Sequence, residues 1–217
     1  MKLIFAAALA LAAVPVTAGT LFQSIPDLTA ETVQAGYCSS CNAFLQFRIY
    51  DGFTLGRDST IDSVTFALDT SFYAGNPVNV GFFNLAGNLP GAEIASYTFA
   101  PSDFVSMVNV PTASERSRAL VTVAIPGLML AAGSYDISFF NANGLSIPAF
   151  ANPGGSLYQS GNFFQAGQFY ADRSAGFSIG GAAAVPEPAS WALMIIGFGA
   201  IGTTLRRRAA VRGVAIA

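Results

Sequence analysis

Through the middle of the chain, apolar and polar positions alternate in twos. Phe47 and Ile49 fall on one side of an extended segment, with Gln46, Arg48 and Tyr50 on the other; Val64, Phe66 and Leu68 alternate with Ser63, Thr65, Ala67 and Asp69. A period of two predicts half-buried strands, because successive side chains on a strand point to opposite faces. Further strands are predicted over Val78–Leu85, Ile94–Phe99, Ala119–Ile125, Tyr135–Phe140, Gly161–Tyr170 and Gly176–Ile179. Turn signals separate them at Tyr50-Asp51-Gly52, Gly75-Asn76-Pro77, Gly87-Asn88-Leu89-Pro90-Gly91, Ala132-Gly133-Ser134 and Asn143-Gly144. Leu28–Gln34, with Thr29 as a weak cap, is the one short helix candidate in this region. The pattern predicts an all-β fold over residues 19–181, an antiparallel two-sheet sandwich or jelly roll.

The pattern changes at both ends. Residues 182–190 form a small-residue linker that ends in Pro186-Glu187-Pro188, and an uncharged run of fifteen residues follows from Trp191 to Leu205, closed by Arg206-Arg207-Arg208. As a helix the run is about 22 Å long, short against a bilayer core of about 30 Å. Arginine stems lying along lipid and local bilayer thinning offset the deficit. Length alone leaves a buried core helix open. A helix through Leu193, Met194, Ile195, Ile196, Phe198 and Ile201 is apolar or glycine on every side, however, whereas a surface helix keeps a polar stripe. Residues 191–208 therefore read as a transmembrane helix with an arginine stop, Trp191 at the outer interface and residues 209–217 as a cytoplasmic tail. At the N-terminus, Lys2, the apolar Leu3–Val14 and the small-residue Val16-Thr17-Ala18 predict a signal peptide, residues 1–18, cut after Ala18. With the arginines held inside, the domain between the two ends faces outward.

Charge narrows the function. The chain has no histidine, and between Gly19 and Val185 five arginines meet eleven acidic residues, for a net charge of −6. That balance repels phosphate backbones and excludes nucleic acid as a partner. Without histidine, Ser-His-Asp and Cys-His catalysis are impossible within this chain. Paired carboxylates remain available from Asp51, Asp58, Asp62, Asp69, Asp103 and Asp136, but most stand in turns or at polar strand positions, where solvation is the ordinary state. No catalytic residue, metal ligand set or cofactor is assigned. Asp51, Asp58 and Asp62 cluster around one turn signal, yet their spacing matches no EF-hand loop.

Cys38 and Cys41 lie in Tyr37-Cys-Ser-Ser-Cys-Asn42. A zinc site would need a second pair of ligands, and a thioredoxin-like role would need a βαβ context; neither is present in the sequence. An exported chain favours a short-loop disulfide, which stabilises little because the entropic gain grows with loop length. Among the aromatic residues, phenylalanines at alternating strand positions suit a core. Tyr73, Tyr97, Tyr158 and Tyr170 are the candidates for a wet face on which sugar rings could stack, with Asn141, Asn143 and Gln159 adding hydrogen bonds.

The tail PEPASWALMIIGFGAIGTTLRRR resembles the PEP-CTERM sorting signal, in the variety where Trp-Ala follows Pro-Glu-Pro. The resemblance implies an exosortase-like membrane protease as partner, with Pro186, Glu187 and Pro188 as the recognition element, the apolar run from Trp191 as the dock, and Arg206, Arg207 and Arg208 as the stop. It also implies a Gram-negative source and a processed protein at the cell surface or in the extracellular polysaccharide matrix. The extension from Ala209 to Ala217 departs from the usual pattern, in which tails finish close to the basic cluster. Val80-Gly81-Phe82-Phe83, the run Asn88–Tyr97 and the run Leu130–Ser138 are similar to sandwich domains often attached to this tail, which resemble carbohydrate-binding modules in architecture; topology is implied, not a ligand. The sequence thus leads to an exported, non-catalytic surface or matrix protein. A secreted polysaccharide-binding module is the rival reading, and a carboxylate-based glycoside hydrolase a more distant one.

Overall fold

The computed structural model describes residues 19–26, 35–39, 48–70, 73, 75–110, 117–141, 145–160, 167–184, 192 and 194–203. Two units are distinguished: Thr17–Ala184, and Met1–Val16 together with Val185–Ala217. The first is built of strands β1 (Gly19–Gln23), β2 (Ala35–Ser39), β3 (Ile49–Leu55), β4 (Ser59–Asp69), β5 (Val78–Ala86), β6 (Leu89–Phe99), β7 (Phe104–Val110), β8 (Arg118–Leu130), β9 (Gly133–Phe140), β10 (Leu145–Gln159), β11 (Gln168–Ser174) and β12 (Phe177–Ala183), with one 3-10 turn at Pro101–Asp103.

These strands form two antiparallel sheets. One has the order β1-β12-β4-β8-β7; the other runs β11-β10-β3-β9-β5-β6, with β2 also paired to β10. The expected all-β, two-sheet architecture is therefore what the sequence folds into. Inward-facing residues of both sheets fill one core: Val64, Phe66, Val121 and Val123 from the first, Ile49, Phe53, Val80, Phe82, Ile137 and Phe139 from the second. Phe66 stacks on Phe139 across the sheets with ring centroids 4.7 Å apart, and Phe177 of β12 meets Phe53 and Phe139. Burying such rings removes large apolar areas from water, the main force joining the sheets.

Several local expectations are corrected. Tyr50-Asp51-Gly52, read as a turn, lies inside β3, whose burial alternates from Ile49 to Leu55. Asp51 is on its inward face, so a polar residue at a core position imitated a turn in the sequence pattern. Strands β1, β2, β7 and β10 add to those expected; in β10, Pro148, Pro153 and Gly155 mask the strand pattern. Gly176, placed at the start of the last strand, has φ +64° and makes the turn before it. β12 continues to Ala183, two residues into the segment read as linker. The helix candidate Leu28–Gln34 lies outside the described residues, as does most of the expected Gly161–Tyr170 strand, whose described part is the start of β11.

Candidate functional site

A break in the ladder creates the site. β10 pairs with β3 only through Ile49, Tyr50 and Asp51, because its pairing with β11 slips between Ala151 and Ser156. Such a bulge bends the strand and ends its pairing. Beyond Asp51, β3 keeps its partner β9 on one side while β10 has left the other. Two adjoining depressions open there, of about 400 and 420 Å³, which share Gly52, Leu85 and Ser156.

The first depression lies on the outward face of the larger sheet. Gly52 pairs with Asp136, and Asp136 in turn with Phe83, so Asp136 stands on the floor. It is 7 % exposed and lines the depression with Tyr158, Phe169, Asn88 and Leu85. Burial alone raises its carboxyl to about 6, from an ordinary value of 3.8: no hydrogen bond or ion pair to a described residue offsets the loss of water. Gly52 leaves the carboxylate uncovered, since a Cβ built on it would lie 3.8 Å from Asp136 Oδ1. Phe169 and Tyr158 form its aromatic wall, the lining end of a row of rings on this face. Phe169 lies 4.8 Å from Tyr158, Tyr158 6.1 Å from Tyr50, and Tyr50 5.1 Å from Phe83, edge-on. Phe169 is 47 % exposed.

Asp51 faces the other way. Its side chain is on the core side of β3, where Ser174 Oγ donates to Oδ2 at 2.6 Å and the Ala175 amide to the same oxygen at 2.7 Å. Burial pushes its carboxyl up to about 7, against those hydrogen bonds and that of the Gly52 amide. Asp51 and Asp136 are thus neighbours on opposite faces of one sheet, an arrangement in which two carboxylates cannot flank a common scissile bond. The other four candidate aspartates are engaged locally. Asp58 accepts from the Ala132 amide at 2.8 Å, Asp62 from Ser63 Oγ at 2.8 Å and Asp103 from the Ala100 amide at 2.9 Å; Asp69 stands opposite Arg118 in the β4–β8 ladder. Among the described residues no group of three potential metal ligands comes together, and Asp51, Asp58 and Asp62 do not share a face.

The four tyrosines separate. Tyr158 alone lines the aromatic depression. Tyr73, Tyr97 and Tyr170 pack against the core cluster: the Tyr73 hydroxyl donates to the Asn76 carbonyl at 2.8 Å, and that of Tyr170 bonds Gln159 and Gln168 at 3.1 and 3.0 Å. Asn141 is buried, and Asn143 lies outside the described residues. Sequence reasoning missed Phe169 and Asn88. Phe169 reads as core by type, and its exposed phase shows only in the register that pairs it with Tyr158; Asn88 had been absorbed into a turn signal. Cys38 is on β2, opposite Ser146 of β10, while its expected partner Cys41 lies outside the described residues.

In the second unit, residues 192 and 194–203 are helical where described. Met194, Ile195, Ile196, Phe198 and Ile201 are all exposed, so no single face of the helix is buried. Among the described residues no helix is long and apolar enough to cross a membrane. The signal-peptide residues 1–18, the motif residues Pro186, Glu187, Pro188 and Trp191, and Arg206, Arg207 and Arg208 lie outside the described residues.

Fold and tail together define a two-sheet β domain that carries a C-terminal helical segment. The tail is specific: residues 184–208 match the PEP-CTERM protein-sorting motif, and the chain carries that motif. No curated protein and no solved structure matches the chain. The motif supports an exported protein whose general partner is an exosortase, held at the membrane before processing.

Proposed function

We propose that this chain is a non-catalytic protein of the cell surface or extracellular polysaccharide matrix, led out by the signal peptide 1–18 and matured by an exosortase acting at its tail. The sorting motif over residues 184–208 is the observation that carries this reading. Pro186, Glu187 and Pro188 are read by the protease, the apolar run after Trp191 inserts in the bilayer, and the three arginines hold the inner side. Non-catalytic character is supported by the absence of histidine and by the opposed faces of Asp51 and Asp136. In the oxidising space outside the cell, Cys38 and Cys41 form a disulfide. The rival reading, a polysaccharide-binding module, draws on the aromatic depression beside Asp136; a hydrolase has no such support.

Fractionation of the producing cells tests the proposal. A processed chain in the surface or matrix fraction, without enzyme-dependent release of reducing ends from the matrix glycan and without free thiols when denatured unreduced, is the expected result. Mature protein confined to the periplasm, or sustained turnover lost on Asp136→Asn, overturns it.

A further inference from the structure

The outward depression has the composition of a ligand site, not of a packing defect. Its one charged side chain is Asp136, more than nine-tenths buried, without a partner among the described residues and turned into the space. A buried carboxylate of this kind is costly unless something hydrogen-bonds it. Opposite it, Phe169 offers a half-exposed ring and Tyr158 a second, while Asn88 supplies an amide on the exposed β5–β6 turn. The floor at Gly52 is bare, and the volume is at the lower end for small-ligand sites. The neighbouring depression continues where β10 has left β3, past the outward pair Thr54 and Ser134 and past Asn152 of β10, so a linear molecule can pass from one to the other.

We propose that this groove binds a neutral oligosaccharide, one pyranose ring stacking on Phe169 and Tyr158 while two of its hydroxyls donate to the Asp136 carboxylate, and the next unit lying against Thr54, Ser134 and Asn152. The chemistry selects the ligand. An apolar ring face meets the aromatic wall, as in other sites that combine a few placed polar groups with aromatic lining. Hydroxyl donors satisfy an acceptor-only carboxylate with charge-assisted bonds. Uronic acids and sulfated sugars are repelled, both by Asp136 and by the domain's net charge of −6. The inference deepens the matrix reading and rests on it for access to a glycan.

Binding should weaken as pH falls through about 6 and Asp136 takes up a proton. The groups around it are Arg48 just ahead of β3, Tyr50 on β3, Tyr158 on β10, Glu93 on β6 and, behind the sheet, Asp51. Burial holds the Tyr50 phenol above its ordinary value, so it stays neutral in this range. Asp51 titrates near 7, so Asp136→Asn is needed to assign the effect.

Calorimetric titration of the full chain, in a detergent without a sugar head group, tests the proposal with hexaoses of neutral α-glucan, β-glucan and mannan, a hexauronate, and tetramethylammonium. At least one neutral hexaose is expected to bind and the hexauronate not to. Asp136→Asn should weaken binding about ten- to hundredfold, the loss of charge-assisted hydrogen bonds, and abolish its pH dependence near 6. Gly52→Val fills the depression from an exposed strand position without a backbone clash, so it should block binding in a protein of unchanged melting temperature. No binding of any neutral hexaose at millimolar concentration, binding indifferent to Gly52→Val, or binding of tetramethylammonium alone overturns the inference. The Gly52→Val chain should still be processed and reach the surface. If the unsubstituted chain does not, the matrix reading fails whatever the titrations give; if it does while the titrations fail, the groove alone is refuted.

Discussion

Asp136 and Asp51 are one step apart in the β3–β9 ladder and differ in how their burial is compensated. Both are protonated more readily than a free aspartate, to about 6 and about 7. The folded chain therefore holds protons at pH values where the unfolded chain has released them. Stability contributed in this way is complete below the unfolded value near 4 and is lost as pH rises through 6 to 7. Asp136→Asn should remove one part of that slope, making the protein more stable than the parent at pH 8 by about 2 kcal/mol and no more stable at pH 4. Urea unfolding at the two pH values measures it; an equal effect at both would contradict the burial argument. At Asp51 the hydrogen bonds change the expectation. Asp51→Asn can still accept from the Ala175 amide and donate to Ser174, whereas Asp51→Ala strands both groups and should cost about 1–3 kcal/mol for each. Asp136 was visible in the sequence as one of six available carboxylates. What singles it out is its place opposite Gly52 on a sheet face, and that depends on register.

Register also explains which elements were legible. Strands with one core face and one wet face, such as β4 and β8, announce themselves by alternation. β3 was cut short because Asp51, an inward residue, followed by Gly52 imitates a turn, and β10 was missed because its bulge needs the Pro and Gly residues that ordinarily end a strand. The bulge that hid β10 also opens the depressions beside β3, whereas Asp51, which hid the end of β3, is a core residue held by Ser174 and the Ala175 amide. A turn that obeys local rules gives a clean test. Gly176 links β11 to β12 at φ +64°, with the Phe150 ring 2.6 Å from where a Cβ would stand, and its carbonyl accepts from the Ala67 amide at 3.0 Å. Gly176→Ala must meet both the backbone strain and the ring, for a loss of about 2 kcal/mol. Gly56→Ala, where nothing lies within 4 Å and φ is ordinary, should stay within about 0.5 kcal/mol. Thermal melts of the two variants against the parent give the comparison; equal shifts would mean the Gly176 turn is free to adjust.

At the scale of the whole molecule, the sequence separates a chain that folds from a chain that addresses. The β domain between Thr17 and Ala184 completes its own core, while the described tail helix leaves its apolar side chains exposed on all sides, a state stable in lipid but costly in water. The sorting motif was legible from residue order alone, because it is a short linear element and not a surface assembled from distant strands. The groove is the converse case: Asn88, Asp136 and Phe169 meet only through sheet pairing. These two kinds of information should part experimentally. A chain ending at Ala184 keeps every described strand, so it should be secreted in soluble form with the melting temperature of the full protein, while the full chain partitions first with the inner membrane. Glu187→Ala should leave membrane insertion intact, since it changes no apolar residue, yet block maturation in a host that has the exosortase. Membrane association of the truncated chain equal to that of the full one would remove the tail as anchor, and normal processing of Glu187→Ala would mean that the Pro-Glu-Pro element is not what the protease reads.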